Sequence, residues 1–148
     1  MKLVALSAVA LATAGAAYGA GKPGIFAQPL GAARIASPYT VAVTKPGDLV
    51  FVQAKIAPGA TFGWHTHSAA VVVAVVAGTF TLYDSSDPTC APRKVSAGQG
   101  FVEQPNHIHL GRNEGTKPVR VMIAYLSAPH GKPLDRPAAR PSQCTTVR

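Results

Sequence analysis

Between Ala36 and Pro129 the chain is cut every few residues by turn-forming groups, and no segment between the cuts sustains the 3.6-residue apolar period of an amphipathic helix. The cuts are Lys45-Pro46-Gly47-Asp48, Pro58-Gly59, Gly78, Asp84–Pro88, Ala97-Gly98 and Arg112–Gly115. Proline fixes φ and donates nothing, glycine tolerates positive φ, and Asp and Asn bond their own backbone, so each cluster favours reversal over continuation. The pieces left are Tyr39–Val43, Leu49–Ile56, Val71–Val76, Thr79–Tyr83, Gly100–Glu103, Ile108–Leu110 and Val119–Leu126. They are rich in Val, Ile, Phe and Tyr, which suit a pleated, half-buried surface. Many short strands at this spacing predict an all-β sandwich or barrel. The 148 residues suit one domain, expected over 36–128. Gly21–Ser37 reads as a lead-in and Pro129–Arg148, with four prolines, as an extended tail.

The first twenty residues, MKLVALSAVALATAGAAYGA, have an early Lys, an apolar run and then small residues. That is the layout of a secretory signal peptide over 1–19, with Ala17-Tyr18-Gly19 as the cleavage site. An uncleaved anchor is the alternative. The longest later apolar run, Ala69–Ala77, has nine residues and is too short to cross a bilayer. The expectation is an exported protein, periplasmic or secreted, with no membrane association after cleavage. Two cysteines, Cys90 and Cys144, fit that setting as a disulfide tethering the tail, the alternative being two free thiols. Closing a loop of that size is worth roughly 4 kcal/mol by chain entropy.

Fourteen Lys+Arg against six Asp+Glu leave a net charge of +8. The cations are scattered, without a basic helix or interleaved aromatics, which argues against nucleic acid as a partner. A small anionic ligand remains compatible.

Four of the five histidines fall in two His-x-His pairs, His65/His67 and His107/His109. On a strand, residues i and i+2 share a face, so each pair would aim two imidazoles one way. Convergence of both pairs inside a barrel would make a metal site, since neutral imidazole suits iron, zinc, copper and nickel. Solvated histidines are the bland alternative.

The same residues carry a family resemblance. Gly59–Gly78, GATFGWHTHSAAVVVAVVAG, resembles the first cupin motif, with Gly59, His65, His67 and Gly78 in register. Gly98–Asn113, GQGFVEQPNHIHLGRN, resembles the second, with Gly98, His109 and Asn113 in register. Gln104 stands at the motif's Pro and Asn106 at its Gly, a mild change because Asn tolerates the left-handed conformation. The chain also looks like exported bacterial cupins with paired cysteines. The resemblance implies a cupin-type antiparallel β-barrel (a double-stranded β-helix, or jelly roll) holding one divalent transition metal (Fe, Zn, Cu, Ni or Mn). His65, His67 and His109 are the implied ligands. The motif's Glu ligand falls at Val71. Either the centre has three histidines, resembling thiol- and diketone-dioxygenase cupins, or metal binding has been lost. His107 and Glu103 are the two candidates for a fourth ligand.

The expected function is therefore metal binding at a three-His centre, with small-molecule dioxygenase or related chemistry open. A non-catalytic ligand-binding or metal-binding protein is the alternative. A homodimer is compatible with the sequence. Edman sequencing of the exported protein is expected to begin near Ala20; a chain beginning at Met1 or Lys2 would overturn the leader assignment.

Overall fold

The computed structural model describes Pro29–Val147; the leader expected over 1–19 lies outside these residues. Nine strands run in chain order: β1 (Asp48–Ile56), β2 (Thr61–His67), β3 (Ala70–Ala77), β4 (Thr79–Asp84), β5 (Arg93–Ser96), β6 (Gly100–Glu103), β7 (His109–Arg112), β8 (Val119–Ala128) and β9 (Asp135–Pro137). Among the described residues there is no helix. The strands form two antiparallel sheets, β1-β8-β3-β6 and β5-β4-β7-β2-β9.

Period-two burial decides which side chains fill the interior. β8 buries Val119, Val121, Ile123 and Tyr125 and turns Arg120, Met122 and Ala124 outward or half outward. Val71, Val73 and Val75 of β3 do the same, and Val50, Val52, Ala54 and Ile56 complete the inner face from β1. Phe80, Leu82 and Val95 meet them from the second sheet, so one apolar cluster fastens the two sheets together. Each buried aliphatic or aromatic side chain contributes about 1.5–3 kcal/mol of transfer free energy.

A smaller cluster sits on the outer face of the second sheet. Tyr83, Leu110 and Trp64 pack there against Cys90, Cys144 and Val147. Cys90 and Cys144 form a disulfide with a sequence separation of 54, and Cys144 is fully buried. The proline-rich tail is thus covalently tied to the sheet. It also adds β9, which pairs with the outer edge of β2.

Several expectations need correction. Tyr39–Val43 forms no strand: Tyr39 and Val43 are 52 % and 59 % exposed, and the segment takes part in no strand pairing, the isolated parallel bridge from Arg34 to Gln99 lying before it. Apolar content does not make a strand without a face to bury. Arg93–Ser96 and Asp135–Pro137 are strands although their sequences are polar. Pairing with β4 and β2 overrides their low propensity. β7 starts at His109 rather than Ile108, so His107 lies outside the strand.

Two motif positions find their physical reason in turns. Asn106 takes φ of 60°, the left-handed conformation expected at the motif's Gly position. Asn113 is fully buried and staples three backbone groups. Its Nδ2 donates to Ile56 O at 3.0 Å and Lys117 O at 2.9 Å, and its Oδ1 accepts from Gly115 N–H at 2.9 Å. Asn113→Ala should cost about 3 kcal/mol in urea unfolding, because it strands those buried groups. A change below about 0.5 kcal/mol, the level of ordinary surface substitutions, would show that water replaces the amide without penalty.

Candidate metal centre

His65 and His67 sit on β2, two residues apart, and both are buried. The β2–β7 register puts His109 directly opposite His65. The three rings meet with centroids 4.8 Å (His65–His67), 4.4 Å (His65–His109) and 5.0 Å (His67–His109) apart. One ligand-type nitrogen from each lies within 4.8 Å of the others.

Each imidazole turns its Nδ1 toward an oxygen. His65 Nδ1 donates to Gly63 O at 2.9 Å, and His109 Nδ1 to His107 O at 3.1 Å. His67 Nδ1 lies 3.2 Å from Leu134 O and 3.1 Å from Asp135 Oδ1. A proton held on Nδ1 leaves the Nε2 lone pair free, the tautomer a metal ligand needs. Gly63 permits one of these contacts: at φ of 72° it makes an irregularity in β2 that presents its carbonyl to His65.

Glu103 completes the cluster. Its Oε2 lies 3.2 Å from His67 Nε2, and its Oε1 3.2 Å from His109 Nε2. Both nitrogens are buried without an aligned hydrogen bond to any group. Donor atoms that crowd together without satisfying one another are what a bound cation would resolve. The residues present therefore fit a metal ion.

Val71 stands at the motif's carboxylate position, and an acidic side chain lies one strand away. Val71 of β3 pairs directly with Glu103 of β6 on one side and with Tyr125 of β8 on the other. Paired residues on neighbouring strands point to the same face. Glu103 thus projects inward beside the place where a side chain at 71 would stand. Val71 itself is fully buried in the apolar core. His107, the other candidate for a fourth ligand, is turned away: its Nε2 bonds Asp84 Oδ1 at 2.8 Å. The strand parity expected for His107/His109 fails because residue 107 precedes the strand, and only its carbonyl serves the cluster.

The surroundings of His67 favour positive charge. Burial pulls the His67 pKa down, but the nearby Asp135 and Glu103 carboxylates, at 3.1 and 3.2 Å, outweigh it and lift the value to about 9. His109 is pushed below its ordinary value by burial, with neighbouring His65 and His67 opposing the help from Glu103. Asp135 is held low by its bond to His67, and Tyr125 is driven up by burial and by Asp135.

The room at this cluster is small, about 30 Å³, with Val73, Phe80 and Ile123 among its apolar walls. That is space for little more than one water molecule. A wider groove of about 320 Å³, bordered by Arg34, Arg93 and Lys94, lies outside the histidine cluster.

The cupin domain family matches residues 52–125, half of the 148-residue chain, and takes in all three histidines and Glu103. The chain is a cupin. No curated protein matches it. Solved structures resemble this cupin in fold. One is a conserved protein with a double-stranded β-helix domain from Klebsiella pneumoniae, at 21 % identity and TM-score 0.50, covering 66 % of this chain and 76 % of that one. Another is the polyketide cyclase RemF from Streptomyces resistomycificus, at 15 % and 0.53, covering 66 % and 65 %. A third is the DMSP lyase DddQ from Ruegeria pomeroyi, at 16 % and 0.51, covering 61 % and 43 %.

Sequence reasoning missed Asp135, which stands in a tail with little apolar patterning; only its pairing with His67 across β9 and β2 brings it into the cupin pocket. It also missed Gly111, where an added Cβ would lie 2.2 Å from the Phe80 ring. Phe80 is buried and stacked on Phe101, so it has little room to yield. Gly111→Ala is expected to destabilise the cupin by about 1–3 kcal/mol through overpacking. An unchanged thermal midpoint would show that the ring relaxes at no cost.

Proposed function

We propose that the protein binds one divalent transition metal through His65, His67, His109 and Glu103, and that the loaded centre acts on a small anionic or chelating molecule. The observation that supports this most is the pair of buried Nε2 atoms, on His67 and His109, facing one carboxylate without a hydrogen bond. Three imidazoles and one carboxylate form a donor set suited to iron, manganese, nickel, copper or zinc. Four protein ligands and one negative charge leave the ion a net positive charge, which favours an anionic ligand.

When bound, the ion would supply Lewis acidity toward a coordinated oxygen atom. The chain's own groups do the rest. The carbonyls of Gly63, His107 and Leu134 hold the three rings, Phe80 and its apolar neighbours limit water, and Tyr125 OH, 3.1 Å from Asp135 Oδ1, offers a hydrogen-bonding group at the cavity wall. The Cys90–Cys144 disulfide supports an oxidising compartment, periplasmic or extracellular.

The small cavity favours one alternative specifically: a non-catalytic protein that holds the metal itself. Oxygen uptake and turnover assays with small carboxylates, thiols and diketones separate the two, since a metal holder would bind its ion and convert none of them.

Metal content after reconstitution checks the ligand set. His65→Ala and His109→Ala should lose most of the metal. Glu103→Gln should weaken binding by at least roughly 10–100-fold, the loss typical even for partners one step beyond the ligands. His107→Ala should leave affinity unchanged. Equal losses for Glu103→Gln and His107→Ala would remove Glu103 from the set, and a wild-type protein with no metal above background would end the metal reading.

A further inference from the structure

The three histidines are not held alike. His65 and His109 each bond a carbonyl two residues away in their own segment. Both oxygens near His67 Nδ1 come instead from the tail, Leu134 O at 3.2 Å and Asp135 Oδ1 at 3.1 Å. Asp135 is the cross-strand partner of His67 in the β2–β9 pairing. Its carboxylate is fixed from the far side by Tyr125 OH, at 3.1 Å.

β9 has three residues, too few to hold itself on a sheet edge. What keeps it there is a set of contacts along the tail. Arg136 donates to Asn106 Oδ1 at 2.7 Å, Ala138 N–H to Trp64 O at 2.9 Å, and Gln143 Nε2 to Ser85 O at 2.6 Å. The covalent closure is the disulfide, with Cys144 fully buried against Cys90, Leu110 and Tyr83. Terminal segments without such ties fray.

We propose, building on the metal reading above, that Asp135 is a positioning residue that orients His67 in the metal centre, and that the Cys90–Cys144 disulfide holds it in place. The affinity of the centre then depends on a bond formed outside the barrel, on the opposite face of the second sheet. The physical basis is that a carboxylate accepting Nδ1–H fixes the ring's tautomer and angle and strengthens Nε2 as a donor. A tail released from the sheet withdraws both of His67's acceptors together, leaving the ring free to turn.

The test is cobalt(II) titration of the metal-free full chain, followed by its visible absorption band, for wild type, Asp135→Asn, the pair Cys90→Ser with Cys144→Ser, and the three changes combined. Asp135→Asn should weaken binding about 10–100-fold and shift the band. Asp135→Glu should restore part of both. The cysteine pair should weaken binding by a similar factor. The combined variant should be no weaker than the worse of the two, because both changes act through one contact. Thermal melts of the metal-free proteins should part from this pattern, with a large drop for the cysteine pair and a small one for Asp135→Asn. If the cysteine pair does not fold, Ala138→Pro loosens β9 by removing the N–H that bonds Trp64 O while keeping the disulfide, and the same loss of affinity is expected. Wild-type affinity and an unshifted band in Asp135→Asn overturn the positioning role. Multiplying losses in the combined variant, or wild-type affinity in Ala138→Pro, overturn the dependence on the tail. A wild-type chain with no cobalt band removes the metal reading and this proposal together, whereas normal binding by wild type and every variant removes the proposal alone.

Discussion

The register of β2 against β7 is the constraint on which the site depends. His65 opposite His109 brings two rings within 4.4 Å, and His67 joins them because it stands two residues along the same strand. Strand side chains alternate, so a slip of one residue would turn the whole set to the other face. Trp64 and Leu110, which now pack on the outer cluster, would then face the interior. The register is protected from both sides: the outer cluster and the inner core each bury apolar side chains from these strands or their neighbours.

Placing three imidazoles and a carboxylate in an apolar barrel costs free energy unless their polar atoms are matched. The structure matches half of them with backbone carbonyls on the Nδ1 side. On the Nε2 side it leaves two nitrogens against Glu103 with no aligned bond. That imbalance separates this cluster from an ordinary buried polar network, in which every member is satisfied. Sheet geometry lets Glu103 face the histidines although Val71 stands at the motif's carboxylate position. Residues paired across β3 and β6 project to the same face, so either strand can carry the acid into that part of the interior.

The tail changes the architecture more than its composition suggests. By adding β9 it makes β2 an inner strand, and by carrying Asp135 it brings a second carboxylate to His67. Proline spacing and low apolar content conceal this in the sequence, because a three-residue strand is stabilised by its partner and by a disulfide rather than by its own propensity.

Local chemistry was enough to determine much of this protein. Turn residues and β-branched runs predict an all-β chain, the His65-x-His67 spacing predicts a shared face, and Asn106 suits a left-handed turn. These are properties of a residue and its near neighbours, and they are written in the order of the chain. Which of His107 and Glu103 stands against the other histidines could not be read that way. It turned on where β7 begins and which residue of β6 lies beside Val71, and both depend on pairings between distant segments. The same holds for Asp135, 68 positions from the residue it contacts. Strand order and register arise from packing the whole interior at once, so only the tertiary structure decided which carboxylates reach the histidines.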